Sequence, residues 1–128
     1  MAEIGLILFA HGARDARWAA PFEALLARLR ERRPELPVAL AFLEHMSPDL
    51  RAAVLGLAAQ GVGRIRVVPL FFGRGGHLRD DFPAQLAAVR SAHPEIEFEI
   101  APAAGEAPPV IDALADFALD GLDASSAD

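Results

Sequence analysis

The chain has 128 residues, 53% of them hydrophobic and 23% charged, and no cysteine. That describes one globular domain, not two and not a disordered segment, and it excludes disulfides, thiolate nucleophiles and cysteine-type zinc or iron–sulfur sites. The 12 basic residues are all arginine and face 18 acidic ones, for a net charge of −6, which excludes lysine Schiff-base chemistry and argues against a nucleic-acid backbone footprint.

Ile4 to Ala10 is a nearly continuous apolar run ending at His11-Gly12, the pattern of a strand buried on both faces. Trp18, Phe22, Leu25, Leu26 and Leu29 then recur at helical spacing, opposite Arg28, Arg30, Glu31 and Arg32, until Pro34. Val38 to Leu43 reads as a second buried strand. Ser47-Pro48 reads as an N-cap followed by proline at the first helical position, with Leu50, Val54, Leu57 and Ala58 as the stripe of the helix it opens. Ile65 to Leu70 is the third strand, and Pro69 predicts that regular pairing stops early or bulges there.

After a glycine-rich turn, Phe82, Leu86 and Val89 mark a third helix that stops near His93-Pro94. The fourth strand alternates Ile96, Phe98 and Ile100 with Glu95, Glu97 and Glu99. One wet face and a row of glutamates place it at the sheet margin. Val110, Leu114 and Phe117 give a last helix. Residues 1–120 are expected to form a single domain and 121–128 a flexible tail. No apolar run approaches the roughly 18 residues that span a bilayer, and Met1-Ala2-Glu3 has no basic leader. We expect no membrane partner, no nucleic-acid partner and a cytoplasmic location.

Strand and helix alternate four times, which predicts an α/β fold with a parallel sheet and right-handed crossovers. Ligands of such sheets bind beyond the carboxyl ends of the strands. Three of the four histidines fall on that rim: His11 after the first strand, His45 after the second, and His77 in the loop after the third. Each is a proton acceptor and a ligand for first-row metals. Glu44 and His45 are adjacent, and on an extended segment their side chains point to opposite faces, so at most one joins the site. Trp18 is read as core, His93 as structural, and the glutamates of the fourth strand as a solvated face.

His11-Gly12-Ala13-Arg14, Phe42-Leu43-Glu44, Pro69-Leu70-Phe71 and Gly75-Gly76-His77-Leu78-Arg79-Asp80-Asp81-Phe82-Pro83 together resemble the small single-domain sirohydrochlorin cobaltochelatases of the CbiX type, class II tetrapyrrole chelatases. The resemblance covers about residues 4–118. It implies a chelatase-like (flavodoxin-like) three-layer sandwich with a four-stranded parallel sheet in the order 2-1-3-4. It also implies ATP-independent insertion of a divalent metal into a tetrapyrrole, the metal ion being a substrate and no organic cofactor being required.

Carried over by position, the resemblance makes His11 and His77 the metal-binding and proton-accepting pair, with Glu44 the supporting carboxylate and His45 a bystander. Ala13 stands where serine is frequent, and Arg74 interrupts a stretch that is usually more apolar. Insertion removes two pyrrole N–H protons and exchanges the metal's water shell, so a base and a weakly held metal are needed together. Arg14, Arg17, Arg74 and Arg79 flank the histidine motifs and suit the carboxylates of the ring, and the amides of Gly73, Gly75 and Gly76 suit an anion nest. Asp15, Asp80 and Asp81 compete for those arginines. A flat ring needs two walls and one half-size domain offers one, so a homodimer is expected. Co2+ is the expected metal, with Ni2+ and Fe2+ as alternatives. The competing functions are a non-catalytic divalent-metal carrier and a flavodoxin-like module binding a nucleotide or anion through the glycine loop.

Overall fold

The computed structural model describes residues 3–73 and 78–122, with the backbone alone at 78 and 79. The expected tail therefore lies, from residue 123 onward, outside the described residues. Four strands, β1 (Glu3–Ala10), β2 (Val38–Phe42), β3 (Val62–Pro69) and β4 (Glu97–Ile100), alternate with helices α1 (Ala20–Arg32), α2 (Leu50–Ala59), α3 (Leu78–Ala92) and α4 (Pro108–Leu119). Two 3-10 turns, Ala16–Ala19 and Ala104–Glu106, precede α1 and α4. The sheet is parallel throughout in the order β2-β1-β3-β4, so the expected α/β class, the strand order and the marginal place of β4 all hold. The β1–β3 ladder ends at Pro69, which has no N–H to donate, while its register shift lies at the opposite end, between Glu3 and Ile4.

Period-two alternation sends the sheet's side chains to two different layers. Ile7, Phe9, Ile65 and Val67 point to the face covered by α2 and α3, where they pack with Val54, Leu57, Phe82 and Val89. Leu8, Ala10, Leu40 and Phe42 point to the other face, where among the described helices α1 packs on them. Trp18 packs at a tilt against Phe22 there, with ring centroids 4.6 Å apart, and is core as expected. The glutamates of β4 also lie on this second face and pair across the ladder, Glu97 with Arg64 at 3.3 Å and Glu99 with Arg66.

One local expectation is overturned. Ser47 does not cap α2 and Pro48 lies outside the helix. The cap is Asp49, whose carboxylate accepts from the Ala52 N–H at 2.9 Å. The chain is held against the end of β2 by a Phe42 N–H to Pro48 carbonyl bond of 2.9 Å and by the Phe42–Asp49 bridge, so no helix begins before Asp49. Aspartate satisfies the orphan amides of the first turn as well as serine does.

Candidate active site

β1 and β2 stay zipped together past the end of the sheet. Leu43 N–H donates to the Ala10 carbonyl at 2.9 Å, and Glu44 N–H to the His11 carbonyl at 3.1 Å. This close approach depends on Gly12, at φ +94, because a Cβ there would lie 1.9 Å from the Glu44 carbonyl oxygen. The two strand ends thereby bring His11 Nε2 to 3.0 Å from Glu44 Oε1.

The turn after β2 adds a third group. Met46 N–H bonds back to the Glu44 carbonyl at 2.8 Å, closing a three-residue turn around His45, whose φ is 67. Such a turn is rare and strained in an L-residue and is found mostly where function holds it. His45 is therefore not extended, and its side chain is not sent away from Glu44. Its Nε2 lies 3.8 Å from the same Oε1, so the side chains of Glu44 and His45 are not sent to opposite faces as expected. The three side chains are between 34% and 38% exposed, open enough to meet a ligand.

The end of β1, next to His11 in the chain, is packed by aromatic rings. Phe9 stacks on Phe82 at 4.8 Å between centroids, and Phe71 meets Phe82 edge-on at 5.7 Å. This cluster fixes the end of β1 against α3 and holds the His11 backbone in place. Gln85, on α3, donates from Nε2 to the Leu43 carbonyl at 3.2 Å and ties the same helix to the residue before Glu44. Sequence reasoning passed over Gln85, since a glutamine on a helix carries no signal until its partner's position is known.

The other nominated residues divide into three groups. Arg14 is exposed and makes no ion pair among the described residues. Arg17 is engaged by Asp15 at 2.8 Å, and that guanidinium, followed by the Arg17 backbone N–H, holds the Asp15 carboxyl below its ordinary pKa. Arg74, Gly75, Gly76 and His77 lie outside the described residues, and Arg79 is placed only by its backbone, in the first turn of α3. Among the described residues no set of three or more metal-ligating side chains closes round an ion. A larger concavity of about 650 Å3 between α2 and α3, lined by Leu43, Leu55, Gln85 and His93, contains neither His11 nor Glu44.

The family model described as CbiX matches residues 5–120. The chain belongs to the CbiX family. This CbiX chain is 33% identical over 89 residues to the sirohydrochlorin cobaltochelatase of Sulfurisphaera tokodaii, a match covering 67% of this chain and 70% of that one. It is 32% identical over 107 residues to the enzyme of the same name from Saccharolobus solfataricus, covering 77% and 80%. A crystal structure described as a cobalamin (vitamin B12) biosynthesis CbiX protein from Marinobacter aquaeolei VT8 matches with a TM-score of 0.82 at 34% identity, over 96% of this chain and 98% of that one. SirB from Bacillus subtilis, solved with Fe3+, shares the fold at a TM-score of 0.76 and 24% identity, but this chain spans only 47% of it. No helix among the described residues is long and apolar enough to cross a membrane.

Proposed function

We propose that this CbiX protein is a sirohydrochlorin chelatase, a lyase that inserts a divalent metal into the ring without ATP and releases two protons. The observation that carries the reading is the His11–Glu44 pair, 3.0 Å apart on adjoining strand ends at the carboxyl edge of a parallel sheet. Two donors each about 2.1 Å from an ion and 3.0 Å from each other subtend roughly 90°, the angle between neighbouring ligands of a six-coordinate cation. A half-built coordination shell of this kind holds a metal while leaving positions for ring nitrogens. Without metal, the same carboxylate orients the imidazole as a proton acceptor.

His77, which follows β3 in the sequence, is the second imidazole of the reading. Arg14, Arg74 and Arg79, with the amides of Gly75 and Gly76, are its anchors for the ring's carboxylates. Co2+ is the proposed metal, supported by the names of the relatives, with Ni2+ and Fe2+ as competitors because imidazole and carboxylate accept all three. The protein is proposed to act in the cytoplasm as a homodimer, the second copy supplying the other wall of the ring site.

Insertion is followed in the visible spectrum with sirohydrochlorin and each metal in turn. His11→Ala and His77→Ala should each slow Co2+ insertion at least 100-fold, and Glu44→Gln roughly 10- to 100-fold, the usual loss when a group that orients a ligand is removed. Parent-like rates in both histidine variants would overturn the assignment. Metal binding without any acceleration over the spontaneous reaction would leave only a carrier.

A further inference from the structure

Glu44 borders two different surroundings. On one side its Oε1 lies 3.0 Å from His11 Nε2, at the rim that the ends of β1 and β2 share. On the other it lines a concavity of about 570 Å3 formed by the turn between β2 and α2, together with His45, Ser47 and Asp49. His11 does not line this concavity, and neither does any arginine among the described residues. With two carboxylates and an imidazole in its wall, the concavity draws cations and turns anions away.

His45 reaches the concavity through a strained backbone. Its φ of 67 is the left-handed value that a residue with a side chain seldom adopts. The turn is held on both sides: Met46 bonds back to the Glu44 carbonyl and packs against the core on the α1 side, and the Phe42 N–H holds the Pro48 carbonyl at 2.9 Å. The imidazole is thereby turned back on its own neighbour, with Nε2 3.8 Å from Glu44 Oε1 and 35% of the side chain exposed. Strain of this kind persists only where the surroundings over-determine it, and it collects at ligand sites.

We propose that His45 is the metal-receiving residue of this site: with Glu44 it takes the divalent cation from solution on the α2 side and passes it across the shared carboxylate to His11. The proposal rests on the chelatase reading above and deepens it by giving the metal a point of entry. Two donors about 2.1 Å from an ion and 3.8 Å from each other subtend roughly 130°, wider than neighbouring ligands of a tetrahedral or an octahedral shell. His45 and Glu44 therefore hold an ion loosely, whereas the 3.0 Å spacing of His11 and Glu44 fits an octahedral shell. The ion moves from the poorer shell to the better one by exchanging one imidazole for the other. Glu44 stays bonded throughout, so the ion does not return to water between the two.

The backbone alone does not call for an imidazole here. A left-handed turn residue needs only glycine, or asparagine with its short polar side chain. Both keep the turn and remove the ligand, so the two contributions of His45 can be separated.

The test uses the full chain, first with Co2+ alone and then with Co2+ and sirohydrochlorin. The variants are His45→Asn and His45→Gly, with an unchanged circular dichroism spectrum as the check that the fold has held. In stopped-flow absorbance of the Co2+ ligand-field bands, both should associate with the metal about 10-fold more slowly, the low end of the losses seen when a group beside a metal ligand is removed. In insertion, both should raise the KM for Co2+ about 10-fold while kcat and the KM for sirohydrochlorin change by less than about 2-fold, the pattern of lost binding without lost chemistry. Parent-like Co2+ association in both variants overturns the relay and leaves the chelatase reading standing. A fall in kcat at an unchanged KM for Co2+ also overturns it, by placing His45 in the insertion step and not in metal capture. If the parent speeds no insertion but Co2+ association still slows in both variants, the chelatase reading fails while the receiving role of His45 stands.

Discussion

The two faces of the sheet are built to different degrees of completion. On one, α2 and α3 seal a core in which Ile7, Phe9, Val54, Val67 and Phe82 are 2% exposed or less. On the other, α1 packs over Leu8, Leu40 and Phe42 with its apolar stripe partly open, and no residue of the fourth helix is buried. The closed face holds the fold, and its aromatic cluster also carries the strand end from which His11 projects. The second face holds a core of its own around Leu8, Ala10, Leu40 and Phe42, smaller than the first and bordered by side chains that stay partly open.

The largest expected effect tests the closed face. Phe82→Ala should cost about 3–5 kcal/mol of unfolding free energy, as aromatic truncations in packed cores do, measured by urea denaturation. Leu114→Ala, measured at a dilution that keeps the chain monomeric, should stay within about 0.5 kcal/mol of the parent. A comparable loss in both would mean that α4 is packed within its own chain, and the contrast between the faces would vanish.

A smaller effect separates the two candidate caps of α2. Asp49→Ala should lower stability by about 1 kcal/mol, while Ser47→Ala should leave the urea midpoint where it was. The reverse result would restore Ser47 as the start of the helix.

The smallest effect belongs to the second face, where Asp15 and Arg17 pair at the entrance to α1. Arg17, chiefly through its guanidinium, lowers the Asp15 pKa. The pair's contribution is therefore present above the unfolded carboxyl value of about 3.9 and is lost as pH falls through the lower folded value. Both groups are fully exposed, so salt screens the contribution and it is minor. In Arg17→Ala the Asp15 titration followed by carboxyl NMR should move up toward the ordinary aspartate value, with stability at pH 7 nearly unchanged. A titration that stays put would show that the backbone amide, and not the guanidinium, sets it.

Legibility followed the range of the interactions. The four strands could be read because apolar runs bounded by glycine and proline report burial locally, and the alternating glutamates of β4 reported its wet face and its place at the margin. His11 could be nominated because it follows a strand on the ligand-binding rim, whereas position left Glu44 and His45 open and the family resemblance chose Glu44. Asp49 was missed in favour of Ser47 since both are good caps, and the choice is made by the hold of Phe42 on Pro48 and Asp49 across the end of β2. His45 was misplaced because the neighbours of an L-residue are extended by default, and only the tight turn between Glu44 and Met46 puts its φ at 67.

The sequence by itself determined the class of fold, the succession of its elements and the residue types available for chemistry, since period, caps and composition are properties of short stretches of chain. Only the tertiary structure decided that His11 Nε2 lies 3.0 Å from Glu44 Oε1, and that, among the described residues, no side chain of α4 is buried. Both are relations between segments distant in sequence, set by strand order, by register and by the direction in which the chain leaves the sheet, none of which a local pattern encodes.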